Sequence, residues 1–134
     1  MKITKEYIAG FLDGEGYVGL EKKKDNRIKR GYSIRFRIEL SNKNKTLLEE
    51  IRKRYGGRLW LKSNKEDCWQ LTFGNRKDCI KLLEDILPYL LIKKAKSKKL
   101  LEYLKRTNSL IGRGKMLTDK QIKYFSNGIT KNNN

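Results

Sequence analysis

Nine residues near the start of the chain, Ile8-Ala9-Gly10-Phe11-Leu12-Asp13-Gly14-Glu15-Gly16, carry the spacing most suggestive of chemistry. The run begins as a helix of small and apolar residues and stops at two acids alternating with two glycines. Glycine permits close backbone approach, so the pattern offers a carboxylate, Glu15, where a ligand or a second backbone can come near. The surrounding chain is strongly cationic, with 33 Lys and Arg against 15 Asp and Glu and a formal net charge of +18. Such a field attracts a polyanion. A metal-capable acid inside a phosphate-seeking chain points to metal-assisted chemistry on nucleic acid.

Composition excludes several alternatives. The chain has no histidine, which excludes HNH-type nucleases and His-dependent hydrolases and leaves proton transfer to carboxylates, Lys, Tyr or metal-bound water. Cys68 and Cys79 fit no zinc-ligand spacing and read as reduced packing residues. No apolar run approaches the ~20 residues of a membrane span, and Met1-Lys2-Ile3-Thr4-Lys5 does not read as a signal peptide. The expectation is an intracellular protein, in the cytoplasm of a prokaryote or in an organelle, with no membrane partner. Length suits one domain over 1–134, with a core over about 4–106 and a helical extension over about 107–134.

The elements that must position these residues follow from pattern. Thr4 caps a helix predicted to run to about Asp13, ended by Gly14 and Gly16. Tyr17 to Lys24 reads as a strand and 25–31 as a charged hairpin loop. Tyr32, Ile34, Phe36, Ile38 and Leu40 alternate with Ser33, Arg35, Arg37, Glu39 and Ser41, giving a strand with one apolar and one cationic face. A helix over 44–55 stops at Gly56-Gly57. Residues 58–62 and 68–73 form a second hairpin, with Trp69, Leu71 and Phe73 inward and Gln70 and Thr72 on the polar face. Asn75 caps a third helix, with Asp78 as its capping-box partner, and Pro88 breaks it. A basic helix spans 93–106, and a short one is expected over 118–127. The result is an α+β chain whose helices cover the apolar face of one four-stranded antiparallel sheet.

Ile8 to Gly16 resembles the LAGLIDADG motif of homing endonucleases, with Glu15 in place of the final Asp. The order of elements, Gly56-Gly57 before the third strand and Pro88 before a basic helix extend the resemblance over 4–106. It implies the αββαββα fold, with a saddle-shaped sheet on the DNA major groove and, for one motif per chain, a homodimer. Ala9, Gly10, Leu12 and Asp13 would then lie in or near the dimer interface, Asp13 through amides of the partner helix. Glu15 matches the metal-binding catalytic acid and Gly14 the position whose carbonyl also ligates metal. Mg²⁺ is the implied cofactor, with Mn²⁺ or Ca²⁺ able to substitute in binding. Lys93, five residues after Pro88, matches an active-site lysine. Asn42 stands near the family's solvent-positioning Gln at the end of strand two.

Major-groove reading is expected from alternate residues of the open sheet face. These are Lys23 and Glu21 on the first strand, Ser33, Arg35 and Arg37 on the second, Trp60 and Lys62 on the third, and Gln70 and Thr72 on the fourth. Glu21 could accept from cytosine and Gln70 could pair with adenine. Arg27, Lys29 and Arg30 form an arm for groove or backbone. The resemblance thus implies a site-specific, intron-encoded endonuclease cutting a long, near-palindromic duplex. Two rivals stand beside it. Asp13 with Glu21-Lys22-Lys23 superficially fits a restriction-type D…ExK set, although Asp13 ends a helix rather than a strand. A LAGLIDADG-type maturase binding intron RNA, or a non-cleaving DNA binder, would not need Glu15.

Overall fold

The structure, a computed structural model, describes residues 2–29 and 31–107. Arg30 and the helix expected over 118–127 lie outside the described residues. Helix α1 spans Lys5–Glu15, and the Thr4 hydroxyl accepts from the Tyr7 amide at 3.0 Å. Ile8, Ala9 and Leu12 fall on one stripe and are buried. The helix runs past Asp13 and takes in Gly14 and Glu15. Gly16 ends it in extended backbone, at φ −91°. Glycine is needed there for closeness, since a Cβ would overlap the Leu12 side chain and sit 2.9 Å from the Leu12 carbonyl oxygen.

Strands β1 (Tyr17–Lys24) and β2 (Tyr32–Asn42) form an antiparallel hairpin, followed by helix α2 (Lys45–Tyr55). Strands β3 (Arg58–Ser63) and β4 (Cys68–Phe73) form the second hairpin. The sheet order is β1-β2-β4-β3, so the two second strands are central. Gly56 and Gly57 turn the chain from α2 into β3 at φ +89° and +94°, backbone that favours glycine. Asn75 caps helix α3 (Arg76–Ile86) through its side chain, as expected. Asp78 does not return the bond; its carboxylate accepts instead from the Gly57 amide at 3.1 Å. That contact ties α3 to the start of β3.

Pro88 sits in a 3₁₀ turn, Leu87–Tyr89, and helix α4 follows over Lys94–Thr107. Val18, Leu20, Ile38, Leu40, Leu71 and Phe73 project from one sheet face into the core. Ile8, Leu12, Leu48, Leu83 and Leu104 cover them from the helices. The architecture is the expected α+β arrangement of one four-stranded antiparallel sheet with a helical layer on its apolar face. No described helix is long and apolar enough to cross a membrane.

The thiols differ. Cys79 is wholly buried in the core, and burial pushes its pKa up to about 12. Cys68 is only half-buried. A bulky maleimide should therefore label one thiol in the native protein and two after denaturation, read by intact mass. Rapid native labelling at Cys79 would contradict the packing.

Candidate active site and nucleic-acid face

The last turn of α1 carries Asp13 and Glu15 and no basic residue. Helix C-termini carry partial negative charge and free carbonyls, so acids there are unfavourable unless compensated. Asp13 is compensated within its own chain. Its carboxylate accepts from the Leu91 amide at 2.7 Å and the Lys93 amide at 2.8 Å, at the threshold of α4. The Lys93 ammonium donates to the Asp13 carbonyl at 2.7 Å. Three bonds thus lock the end of α1 to the start of α4 and hold the Lys93 ammonium on the carbonyl of Asp13, two positions before Glu15 in the chain.

Burial pushes the Asp13 carboxyl up, but the amides of Leu91, Lys93 and Ile92 and the Lys93 charge outweigh it, so it titrates below the ordinary 3.8. A depressed carboxylate stabilises the fold fully above its unfolded value and loses that contribution as pH falls through the folded value. Thermal midpoints should therefore drop on acidification below about pH 4. Asp13→Asn should flatten part of that slope, the remainder including Asp25, which the Arg27 guanidinium holds low. Identical acid limbs for both proteins would contradict the clamp.

Glu15 is exposed, and no ion pair among the described residues engages it. Gly14, also exposed, offers a carbonyl at the open helix end. An uncompensated carboxylate beside helix-end carbonyls suits a hard divalent cation, which prefers oxygen ligands. One chain supplies only part of a shell: among the described residues no three acids, cysteines or histidines come together.

Several expected site residues sit elsewhere. Ala9 and Leu12 are wholly buried in the chain's own core, so neither is available to a partner surface. Gly10, by contrast, is exposed. Both carboxylate oxygens of Asp13, expected at a partner helix, accept from amides of its own chain. Asn42 pairs with Trp69 and so shares the helix-covered side of the sheet; its side chain accepts from the Asn44 amide at 2.8 Å and shapes the turn into α2. It does not face the polar surface.

That polar surface is built by register. Lys23 pairs with Ser33, Glu21 with Arg35, Gly19 with Arg37 and Tyr17 with Glu39. Thr72 and Gln70 continue it opposite Glu39 and Ser41, and Arg58 and Trp60 complete it. Lys62 is exposed where the β3–β4 register shifts. Lys23 and Arg35 are exposed and Ser33 half-buried. With Glu21, Arg37 and Thr72, Lys23 and Arg35 line an open groove of about 640 Å³. Lys29 is exposed on the turn, whereas Arg27 is folded back on Asp25 through a two-point pair at 3.0 Å.

Several expected groove readers are already engaged with one another. Gln70 is 4% exposed; its carbonyl accepts from Ser41 and its amide donates to Thr72, each at 3.1 Å. The Trp60 indole also donates to the Thr72 hydroxyl at 3.1 Å. This network ties β2, β3 and β4 together across the polar face, and it uses the amide that adenine would need. Glu21 accepts from the Tyr17 hydroxyl at 2.7 Å and pairs with Arg37 at 3.3 Å. The alternation already put Glu39 and Ser41 on this face, without a role; Tyr17 joins them by its strand parity with Gly19 and Glu21.

Over residues 8–110 the sequence matches the LAGLIDADG endonuclease family. The chain belongs to that family. The LAGLIDADG fold agrees with solved homing endonucleases. I-TnaI aligns over 99% of this chain and 92% of its own, with 21% identity and a TM-score of 0.73. The archaeal intron-encoded I-Vdi141I, solved with DNA, aligns over 78% of this chain and 69% of its own at 21% identity and TM-score 0.69. I-CvuI, in complex with its target in the presence of calcium, aligns over 76% of this chain at 24% identity and TM-score 0.65. This chain spans 66% of I-CvuI. No curated protein is significantly similar in sequence. In LAGLIDADG terms, the motif helix here exposes Tyr7, Gly10 and Gly14 and buries Ile8, Ala9 and Leu12, with Phe11 half-buried against the edge of the core.

Proposed function

We propose that this chain is a site-specific, double-stranded DNA endonuclease of the homing type, intron-encoded and acting as a homodimer. The observation that carries this reading is the Lys93 ammonium held on the Asp13 carbonyl at the end of α1 that also carries Gly14 and Glu15, in a chain whose sheet face projects cations. Glu15 and Gly14 would hold a divalent cation of the Mg²⁺ type, which supplies Lewis-acid polarisation and a more acidic bound water. Lys93, oriented by Asp13, places a positive charge where the attacked phosphate gains negative charge. The sheet face sets register on the major groove through Lys23, Arg35 and their neighbours.

The homodimer reading rests on an exposed apolar surface around that centre. Tyr7 is 54% exposed, Leu91 85% and Ile92 79%. Asp13 fixes Leu91 next to the end of α1. Tyr7, Gly10, Phe11 and Gly14 recur at helical spacing on one stripe, and a Cβ at Gly10 or Gly14 would meet nothing. A second copy on this stripe would bring a second Glu15 near the first and complete the partial ligand shell.

The test is cleavage of a randomised pool of long duplexes with Mg²⁺ or with EDTA. Discrete products with Mg²⁺ alone are expected. Enrichment of duplexes by binding without any cutting would refute the nuclease reading.

A further inference from the structure

The centre of the sheet face holds one arginine that is bracketed rather than free. Arg37 Nη2 lies 3.3 Å from a Glu21 carboxylate oxygen, and its Nε lies 3.4 Å from a Glu39 carboxylate oxygen. The guanidinium also stands over the Tyr17 ring, 5.2 Å from its centroid. Tyr17 in turn donates to the same Glu21 oxygen at 2.7 Å. To do so its phenol lies across Gly19, and a Cβ at that position would collide with the ring. Tyr17, Gly19 and Glu21 on β1 and Arg37 and Glu39 on β2 therefore form one built device. Burial and the Glu21 contact push the Tyr17 hydroxyl up to about 12, so it stays a donor at neutral pH.

This bracket decides what Arg37 can bind. Glu21 and Glu39 offset the guanidinium charge at its own position, so Arg37 is a weaker phosphate contact than Lys23 and Arg35, which project beside it on the same face. Nη2 donates to Glu21 and Nε faces Glu39, which leaves Nη1 and the second Nη2 hydrogen with no carboxylate partner among the described residues. Two parallel donors match the two acceptors, N7 and O6, that guanine shows in the major groove. The flanking carboxylates match the N4 amino donor of the paired cytosine. An adenine–thymine pair offers no such adjacent pair of acceptors on one base.

We infer that Arg37 is a pre-oriented reader of one G·C pair in each half-site, with Glu21, Glu39 and Tyr17 as its positioning residues. This rests on the proposed DNA-endonuclease function. It changes the role of Glu21 from an independent cytosine reader to a brace. Fixing the guanidinium before binding lowers the ordering cost of the contact, so discrimination at this pair exceeds that of a free surface arginine.

The test is selection from a randomised pool of long duplexes by the full chain in Ca²⁺, followed by sequencing of the bound fraction. Wild type should show one G·C position per half-site favoured by roughly 5- to 150-fold over the other pairs. Arg37→Lys keeps the charge and removes the fork; it should erase that position while leaving other positions and the salt slope in place. Glu39→Gln and Tyr17→Phe should weaken the same position alone, and Glu39→Asp should restore part of it. Thermal midpoints of each variant confirm folding. If Arg37→Ala instead weakens all sequences equally and lowers the salt slope by about one, Arg37 contacts phosphate and the inference fails. A wild type that enriches duplexes in Ca²⁺ and cuts them in Mg²⁺ without this position overturns the inference alone. A wild type that enriches no duplex overturns the nuclease reading with it.

Discussion

Glu15→Gln is expected to reduce cleavage by ~10³-fold or more while duplex affinity stays within about tenfold of wild type. The carboxylate is exposed and has no ion-pair partner among the described residues, so its removal breaks nothing that holds the fold. An acid at a helix C-terminus is mildly unfavourable, so the variant should melt at the same temperature or slightly higher. The amide keeps the shape but not the charge that a divalent cation needs. Both copies of a homodimer would lose their acid together, which leaves no rescuing site. Single-turnover cleavage, fluorescence anisotropy in Ca²⁺ and a thermal scan separate these effects. A variant cutting at a tenth of the wild-type rate would remove Glu15 from the chemistry. Glu15→Asp, shorter by one methylene, should retain activity.

Local pattern in the chain was enough to place most elements. The alternation from Tyr32 to Ser41 marks β2 and both of its faces, and Thr4 and Asn75 cap the helices that follow them. The partners of Asp13 were not legible. They lie 78 and 80 residues away, and no local periodicity reports which amides a carboxylate will meet across the fold. Gln70 shows a second limit: strand parity puts it on the polar face, but only the register that sets Ser41 beside it shows that its amide is consumed. Asn42 was misplaced for a simpler reason. It continues the even-numbered series of Tyr32 to Leu40, so counting by two already sends it to the helix side. The inward residues of α1 follow the same logic. Ile8, Ala9 and Leu12 make one stripe by helical spacing and Tyr7, Gly10, Phe11 and Gly14 the other, and small size alone did not say which was buried.

Gly10→Glu separates packing within the chain from packing between copies. A Cβ at Gly10 meets nothing within 4 Å, and the position lies inside α1. Replacing glycine in a helix interior by a good helix former gains about 1 kcal/mol, so the isolated chain should become more stable. Across a two-fold axis the same change sets two carboxylates and their methylenes where two backbones must approach. Like charges and lost closeness then oppose association. The expected result is a monomer by analytical ultracentrifugation at concentrations where wild type is dimeric, with an unchanged or raised unfolding midpoint when the two are compared at dilutions where both are monomeric. Cleavage of a full two-fold target should fall by ~10²-fold or more, because a monomer carries one Glu15 and reads one half-site. Gly10→Ala, adding only a methyl group, should show the same stability gain with a smaller loss of association. If Gly10→Glu stays dimeric and active, the outward stripe of α1 is not the contact between copies, and the exposed Leu91–Ile92 surface becomes the place to cut next.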